Sequence, residues 1–274
     1  MVKLSVAIAD SNALPSAFVV FRGFEASIHK AAQMGYEGVE LALKHPDKVD
    51  AEQLAVWLSR ARMEVSCIST GQVYAALGLS FTDADPARRA ELQRIYTKLI
   101  DLASEFGQMV NIGRIRGQIG AKSRDEAEEL FIEMARELCA YGAARGVTLL
   151  LEPANRYELD FVNNVEEGVA LLDKVGMENL RLMPDLFHMN IEDITIAGEL
   201  AKYKDQMAYI HFADSNRRAP GQGHIDFEGI LDTLRRVGYD GWIAVEILPT
   251  PDPDTAARQA IEYLDPLIKK YYAS

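Results

Sequence analysis

Apolar residues along the chain fall into short, near-continuous runs, separated by stretches in which they recur every three or four positions. The runs Leu4–Ala9, Gly38–Leu43, Val65–Ser69, Met109–Ile112, Val147–Leu151, Leu180–Met183, Met207–Ile210 and Trp242–Val245 read as eight strands. Runs apolar on both faces belong to a parallel sheet covered by helices. The three-to-four spacing predicts those helices over Phe24–Gln33, about Asp50–Arg62, Pro86–Phe106 and about Thr255–Tyr271. The third has Asp85 as cap, Pro86 at its first position and Gly107 as its stop, with Leu92, Ile95, Leu99, Leu102 and Phe106 on one face. Ser123-x-x-Glu126 is a capping box that opens another helix, burying Leu130, Met134, Leu138 and Tyr141. Gly35-Tyr36-Glu37-Gly38 is echoed by Gly238-Tyr239-Asp240-Gly241, which reads as one helix-to-strand joint used twice.

Eight strand–helix units in 274 residues, with no linker between them, predict an α/β fold in one domain over residues 1–274, a single (β/α)8 TIM barrel. An open doubly wound sheet competes. Its Gly-rich first turn is missing, since Asp10-Ser11-Asn12-Ala13 stand there.

Charge and cysteine content then narrow the function. The chain carries 29 Lys and Arg against 41 Asp and Glu, a net charge of −12. No basic cluster is denser than Arg114 with Arg116 or Arg217 with Arg218, so no nucleic acid is expected as a partner. Cys67 and Cys139 alone suit a reducing compartment. No run approaches the roughly 18 apolar residues of a membrane span, so no membrane partner is expected. The apolar run after Lys3 stops at Asp10, which suits a buried first strand better than a signal peptide, and a cytoplasmic location is expected.

In such barrels the chemistry sits where the strands end. Strand five ends at Glu152, strand six at Pro184-Asp185, strand seven at His211 and strand eight at Glu246. Any one polar residue at a strand end is ordinary, because the chain is reaching water. Four adjacent strands that each deliver Glu, Asp or His to one patch are poorly explained that way. Three converging carboxylates repel one another unless a cation joins them. Three oxygen donors and one imidazole favour a single divalent ion, Mn²⁺ first, with Mg²⁺ or Co²⁺ as alternatives.

The residues around these positions carry a resemblance. Glu152-Pro153-Ala154-Asn155-Arg156-Tyr157-Glu158, Asp185-Leu186-Phe187-His188-Met189-Asn190, His211-Phe212-Ala213-Asp214-Ser215-Asn216-Arg217 and Pro220-Gly221-Gln222-Gly223-His224-Ile225-Asp226-Phe227 resemble the xylose-isomerase-like sugar isomerase/epimerase superfamily. Within it the chain resembles the ketose 3-epimerases, the tagatose 3-epimerase group. Thr70-Gly71-Gln72-x-Tyr74 and Arg217-x-Ala219-Pro220-Gly221 look most like 5-keto-L-gluconate epimerase. The resemblance implies that Glu152, Asp185, His211 and Glu246 bind the metal, and that Glu152 and Glu246 are the catalytic pair. It makes Glu158, His188 and Arg217 the substrate contacts. A surface arginine is the plain reading of Arg217, and Glu158 could equally pair with Arg156.

The expected activity is therefore a divalent-metal-dependent epimerase. It would invert the carbon next to the ketone of a free keto-sugar or keto-sugar acid, by two-base proton transfer through an enediolate. Aldose–ketose isomerisation of the hydroxypyruvate type and keto-inositol dehydration are the alternatives on the same barrel. An apurinic-endonuclease-like repair protein would need more histidines and a basic surface. Some of Arg114, Arg116 and Arg218 are expected near the mouth, and they rank a keto-acid slightly above a neutral ketose. Glu40, ending strand two, could face the site, but a supporting role behind the ligands or a structural one is as well supported; Cys67 is read as core, and the segment Gly71–Ala84 as a long loop, either a candidate lid or a packed surface loop. A homo-oligomer is compatible with all of this.

Overall fold

The computed structural model describes residues 2–272. Eight parallel strands, β1 (Lys3–Ala9), β2 (Gly38–Ala42), β3 (Glu64–Ser69), β4 (Met109–Ile112), β5 (Thr148–Leu151), β6 (Leu180–Leu182), β7 (Tyr209–Phe212) and β8 (Trp242–Val245), follow the order β6-β5-β4-β3-β2-β1-β8-β7. The ring closes between β6 and β7. There the Leu182 N–H donates to the Gln206 carbonyl at 2.8 Å, Ala208 N–H to Leu182 at 3.0 Å and His211 N–H to Pro184 at 2.9 Å. Closure leaves no sheet edge and excludes the open doubly wound alternative. A two-residue strand, Phe21–Arg22, pairs with β1 outside the ring.

Helices α1 (Phe24–Met34), α2 (Ala51–Ala61), α3 (Gly71–Leu77), α4 (Pro86–Glu105), α5 (Arg124–Ala143), α6 (Val165–Val175), α7 (Leu186–Glu192), α8 (Ile196–Lys202), α9 (Phe227–Arg236) and α10 (Pro253–Tyr272) alternate with the strands. The expected start signals are made. Asp85 accepts from the Ala87 N–H at 2.8 Å, and Ser123 and Glu126 exchange both bonds of the capping box, each cap contributing about 1 kcal/mol. Gly35 and Gly238 both adopt left-handed backbone, φ 100° and 77°, at the repeated joint.

Side chains alternate across each strand. Leu149 and Leu151 pack beneath the helices in the main core, while Leu150 points into the barrel with Cys67, Met183, Tyr209 and Ala244. Cys67 is thus a core residue, as expected.

Two segments differ from the sequence expectation. β7 runs two residues later than predicted, because Met207 contributes only a single bridge to Leu182 and regular pairing with β8 starts at Tyr209. The stretch predicted as a loop and lid after β3 begins as helix α3 and continues as packed wall. Leu79 and Phe81 are buried, and the Phe81 ring lies 5.8 Å from Tyr96 and 5.4 Å from Phe131. Those aromatic contacts hold it down. No helix among the described residues is long and apolar enough to cross a membrane.

Candidate active site

The interior cluster explains where the site lies. Glu152, Asp185, His211 and Glu246 each stand two residues beyond one of its members, namely Leu150, Met183, Tyr209 and Ala244. With a two-residue period, each therefore continues the inward-facing row at the C-terminal mouth. One potential ligand atom from each of the four lies within 4.8 Å of the others. His211 Nδ1 is 3.2 Å from Glu152 Oε1 and 3.7 Å from both Asp185 Oδ2 and Glu246 Oε2. Asp185 also caps α7, accepting from the Phe187 N–H at 2.8 Å, which fixes its carboxylate at the mouth.

The donor chemistry fits a divalent cation. Burial pushes Glu246 up to about 8, with the charges of Glu152 and Glu40 adding to it against the pull of His211 and Arg217. Burial works the same way on Glu152. There the His211 hydrogen bond and charge, with His188 and Arg217, prevail and hold the carboxyl below its usual range. Packed carboxylates with such opposed tendencies are a cluster that a cation would unite.

Around this group stand the residues expected to touch substrate. Asn155 donates its amide to His188 Nδ1 at 2.7 Å, which assigns the His188 proton to Nε2, 3.9 Å from Asp185 Oδ2. His188 lies on α7, and burial lowers its pKa. Arg217 is buried and donates to Asp185 at 2.6 Å and to Glu246. Its guanidinium is clamped between Phe18 and Phe187, 4.7 and 4.9 Å from their ring centres. Glu158 lines the same cleft, and the Arg156 guanidinium donates to both carboxylate oxygens of Glu192, so Glu158 is not the salt-bridge partner of Arg156. The cleft holds about 540 Å³ including its open mouth.

Comparison with known proteins agrees with this geometry. Residues 28–267 match the family of the xylose isomerase-like TIM barrel. The chain belongs to that family. It is 31% identical over 232 residues to an L-ribulose 3-epimerase of Methylomonas sp. (strain DH-1), covering 82% of this chain and 78% of that relative. A hydroxypyruvate isomerase of Escherichia coli (strain K12) is 24% identical over 247 residues, 89% of this chain and 93% of that one. The crystal structure of a D-allulose 3-epimerase from Methylomonas sp. in complex with D-allulose superposes with a TM-score of 0.81 at 26% identity, covering 96% and 97% of the two chains. Membership of the xylose isomerase-like family and these relatives make the chain an enzyme of the isomerase class.

Other residues of this family member had no assigned role in the sequence. Asn111 donates to Glu152 Oε2 at 3.1 Å and is itself fixed by Thr70, whose N–H and hydroxyl donate to its side chain at 2.9 and 2.8 Å. Gly113 lies so close that a Cβ there would stand 2.8 Å from Glu152 Oε2. Asp214 accepts from the N–H groups of Ser215, Gly221, Gly223 and Ile225, wrapping the loop that turns Arg217 inward at φ 61°. An Asp ahead of Gly-rich sequence was the available signal; Phe18 and Phe187 offered none.

The arginine argument for a keto-acid shrinks. Arg116 is fully buried and spends its guanidinium on the carbonyls of Gly113, Glu152, Phe161 and Val162, while Arg218 is exposed and outside the cleft wall. Of these three, Arg114 alone lines the cleft, over the Tyr74 ring.

Proposed function

We propose that the protein is a divalent-cation-dependent epimerase that inverts the carbon next to the ketone of a free ketose or keto-sugar acid. The observation that carries this reading is the convergence of Glu152, Asp185, His211 and Glu246 at one point of the barrel mouth. A cation held there, Mn²⁺ before Mg²⁺ or Co²⁺, supplies polarisation of the substrate carbonyl when bound.

The remaining steps belong to the chain. Inversion needs a proton removed from one face of a carbon and another delivered to the opposite face. Glu152 and Glu246 come from β5 and β8, three strand positions apart around the ring, so they reach the cleft from different sides. Different neighbours hold them, Asn111 on Glu152 and Arg217 on Glu246. His188 Nε2–H and Arg217 are placed to donate to substrate oxygens, and Glu158 to accept from a hydroxyl. The stacked Phe18 and Phe187 rings limit water on the Arg217 side.

The relatives support a ketose substrate, and Arg114 keeps a keto-acid in view. The hydroxypyruvate isomerase relative favours a second reading, in which the proton moves to the neighbouring carbon. One experiment separates them. Ketoses, keto-hexonates and their phosphates are incubated with the protein and Mn²⁺ in D₂O and followed by NMR. Inversion with deuterium at the carbon next to the ketone is the expected result. An aldose product establishes the isomerase reading, and no exchange into any substrate overturns both.

A further inference from the structure

Below the four donors, the barrel interior holds a second polar feature that does not touch the cleft. Glu40 is wholly buried on β2. Its Oε2 lies 2.9 Å from His211 Nε2 and accepts from the Tyr209 hydroxyl at 2.9 Å. The Tyr209 hydroxyl lies 2.7 Å from Ser66 Oγ and 3.2 Å from Ser5 Oγ, and the two serines are 2.9 Å apart. Glu40 Oε1 has no hydrogen-bond partner among the described residues.

This column is built into the sheet. Val39 pairs with Val65 and Glu40 with Cys67, so Ser66 is an extra residue in β3. Regular alternation would send only one of Ser66 and Cys67 inward. The bulge brings both there, Cys67 into the interior cluster and Ser66 to Tyr209. Four polar side chains thus replace apolar ones in the interior of a small barrel, and one carboxylate oxygen is left unpaired, an arrangement that costs stability.

We infer that this column positions His211. The His211 Nε2–H donates to the Glu40 carboxylate, so Nδ1 is the nitrogen left facing Glu152, Asp185 and Glu246. Tyr209, held by Ser66 and Ser5, fixes the Glu40 carboxylate from below, and its ring packs edge-on against the imidazole at 5.7 Å. A carboxylate behind a ligating histidine sets its tautomer and strengthens it as a donor. Glu40 and Tyr209 are positioning residues, and the inference rests on reading the four mouth residues as a cation's donors.

The test is Mn²⁺ titration of metal-free wild type, Glu40→Gln and Tyr209→Phe without sugar, reading free ion by electron paramagnetic resonance. The expected result is a Kd about 10- to 100-fold weaker in Glu40→Gln, and weaker by a smaller factor in Tyr209→Phe. A column that merely props up the fold would instead change the melting temperature of the metal-free protein and leave Kd alone. Should Glu40→Gln fail to fold, Tyr209→Phe and the histidine ¹⁵N spectrum of the Mg²⁺-loaded wild type carry the test. The spectrum is expected to show His211 protonated at Nε2. Wild-type Kd in the folded variants, or a proton on Nδ1, overturns the inference. A wild type that binds no Mn²⁺ overturns the proposed function instead, and the inference with it.

Discussion

Strands β5 to β8 end at the mouth in Glu152, Asp185, His211 and Glu246, whereas β1 to β4 bring Ala9, Ala42, Ser69 and Asn111 to the same end. One half of the ring supplies donors. The other supplies small side chains that leave room, a bulged strand, and the groups that orient the donors: Asn111 on Glu152 and Glu40 on His211. The difference teaches how the proposed cation site is built: a half-ring of candidate ligands held against a half-ring of supports. Loss of a ligand should act as a switch, and loss of a support as a graded change.

The largest effect is expected from emptying the donor half. Chelation should abolish activity, and added Mn²⁺ or Co²⁺ should restore it. At a hundred times its Kd the ion should add about 2.7 kcal/mol of stability, or roughly 5–10 °C of Tm for a chain of this size, read by calorimetry. His211→Ala should lose that metal-dependent rise altogether. Full activity in protein shown metal-free by elemental analysis would break the comparison at its root.

The support half should respond by degrees. Asn111→Ala frees Glu152 Oε2 and leaves the Thr70 N–H without its acceptor, so kcat/KM should fall about 10- to 100-fold with metal still bound. Gly113→Ala presses a methyl against the same carboxylate, and kcat should fall about 10-fold with KM little changed. If either variant instead loses metal completely, the division into ligands and supports is wrong.

The smallest effect lies away from the mouth, on the ligand-bearing side. Asp193 accepts from the Val165 N–H at the start of α6. Burial pushes its pKa up to about 7, with the charges of Glu199, Glu192 and Glu166 adding to the shift. Its folded pKa is above the unfolded value, so the unfolded chain releases this proton first. Stability then falls as pH rises from about 4 to 7, and the penalty is complete above that range. Asp193→Asn keeps the acceptor without the charge. It should raise Tm by about 2–4 °C at about pH 8, corresponding to roughly 1 kcal/mol after solvent screening, and by nothing at about pH 4.

The same comparison shows what the sequence made legible. Near-continuous apolar runs marked every strand of the ring, because a strand buried on both faces has few polar positions to confuse the pattern. The candidate donors were legible because each stands within two residues of the end of such a run. Glu40 was visible as a residue but not as a partner of His211, since that contact joins β2 to β7 across the barrel and no local spacing encodes it. Ser66 was hidden for a related reason: a bulge is a relation between two strands, and Val65–Ser69 alone looks regular. Phe18 and Phe187 sit in segments with no periodicity, and only the closed ring brings them to either side of Arg217. Helix α3 was missed because seven residues rich in small side chains carry little amphipathic signal.

The central claim is that Glu152 and Glu246 work on opposite faces of one carbon. It is tested most directly by Glu152→Gln and Glu246→Gln, each loaded with Mn²⁺ to one ion per chain and incubated with substrate in D₂O. The account predicts that epimerisation falls by about 100- to 10,000-fold in both, the range of a lost acid–base group, while a variant keeping one carboxylate still exchanges the substrate hydrogen for deuterium from that single face without inversion. Metal-loaded variants that still epimerise at near wild-type rates would contradict it.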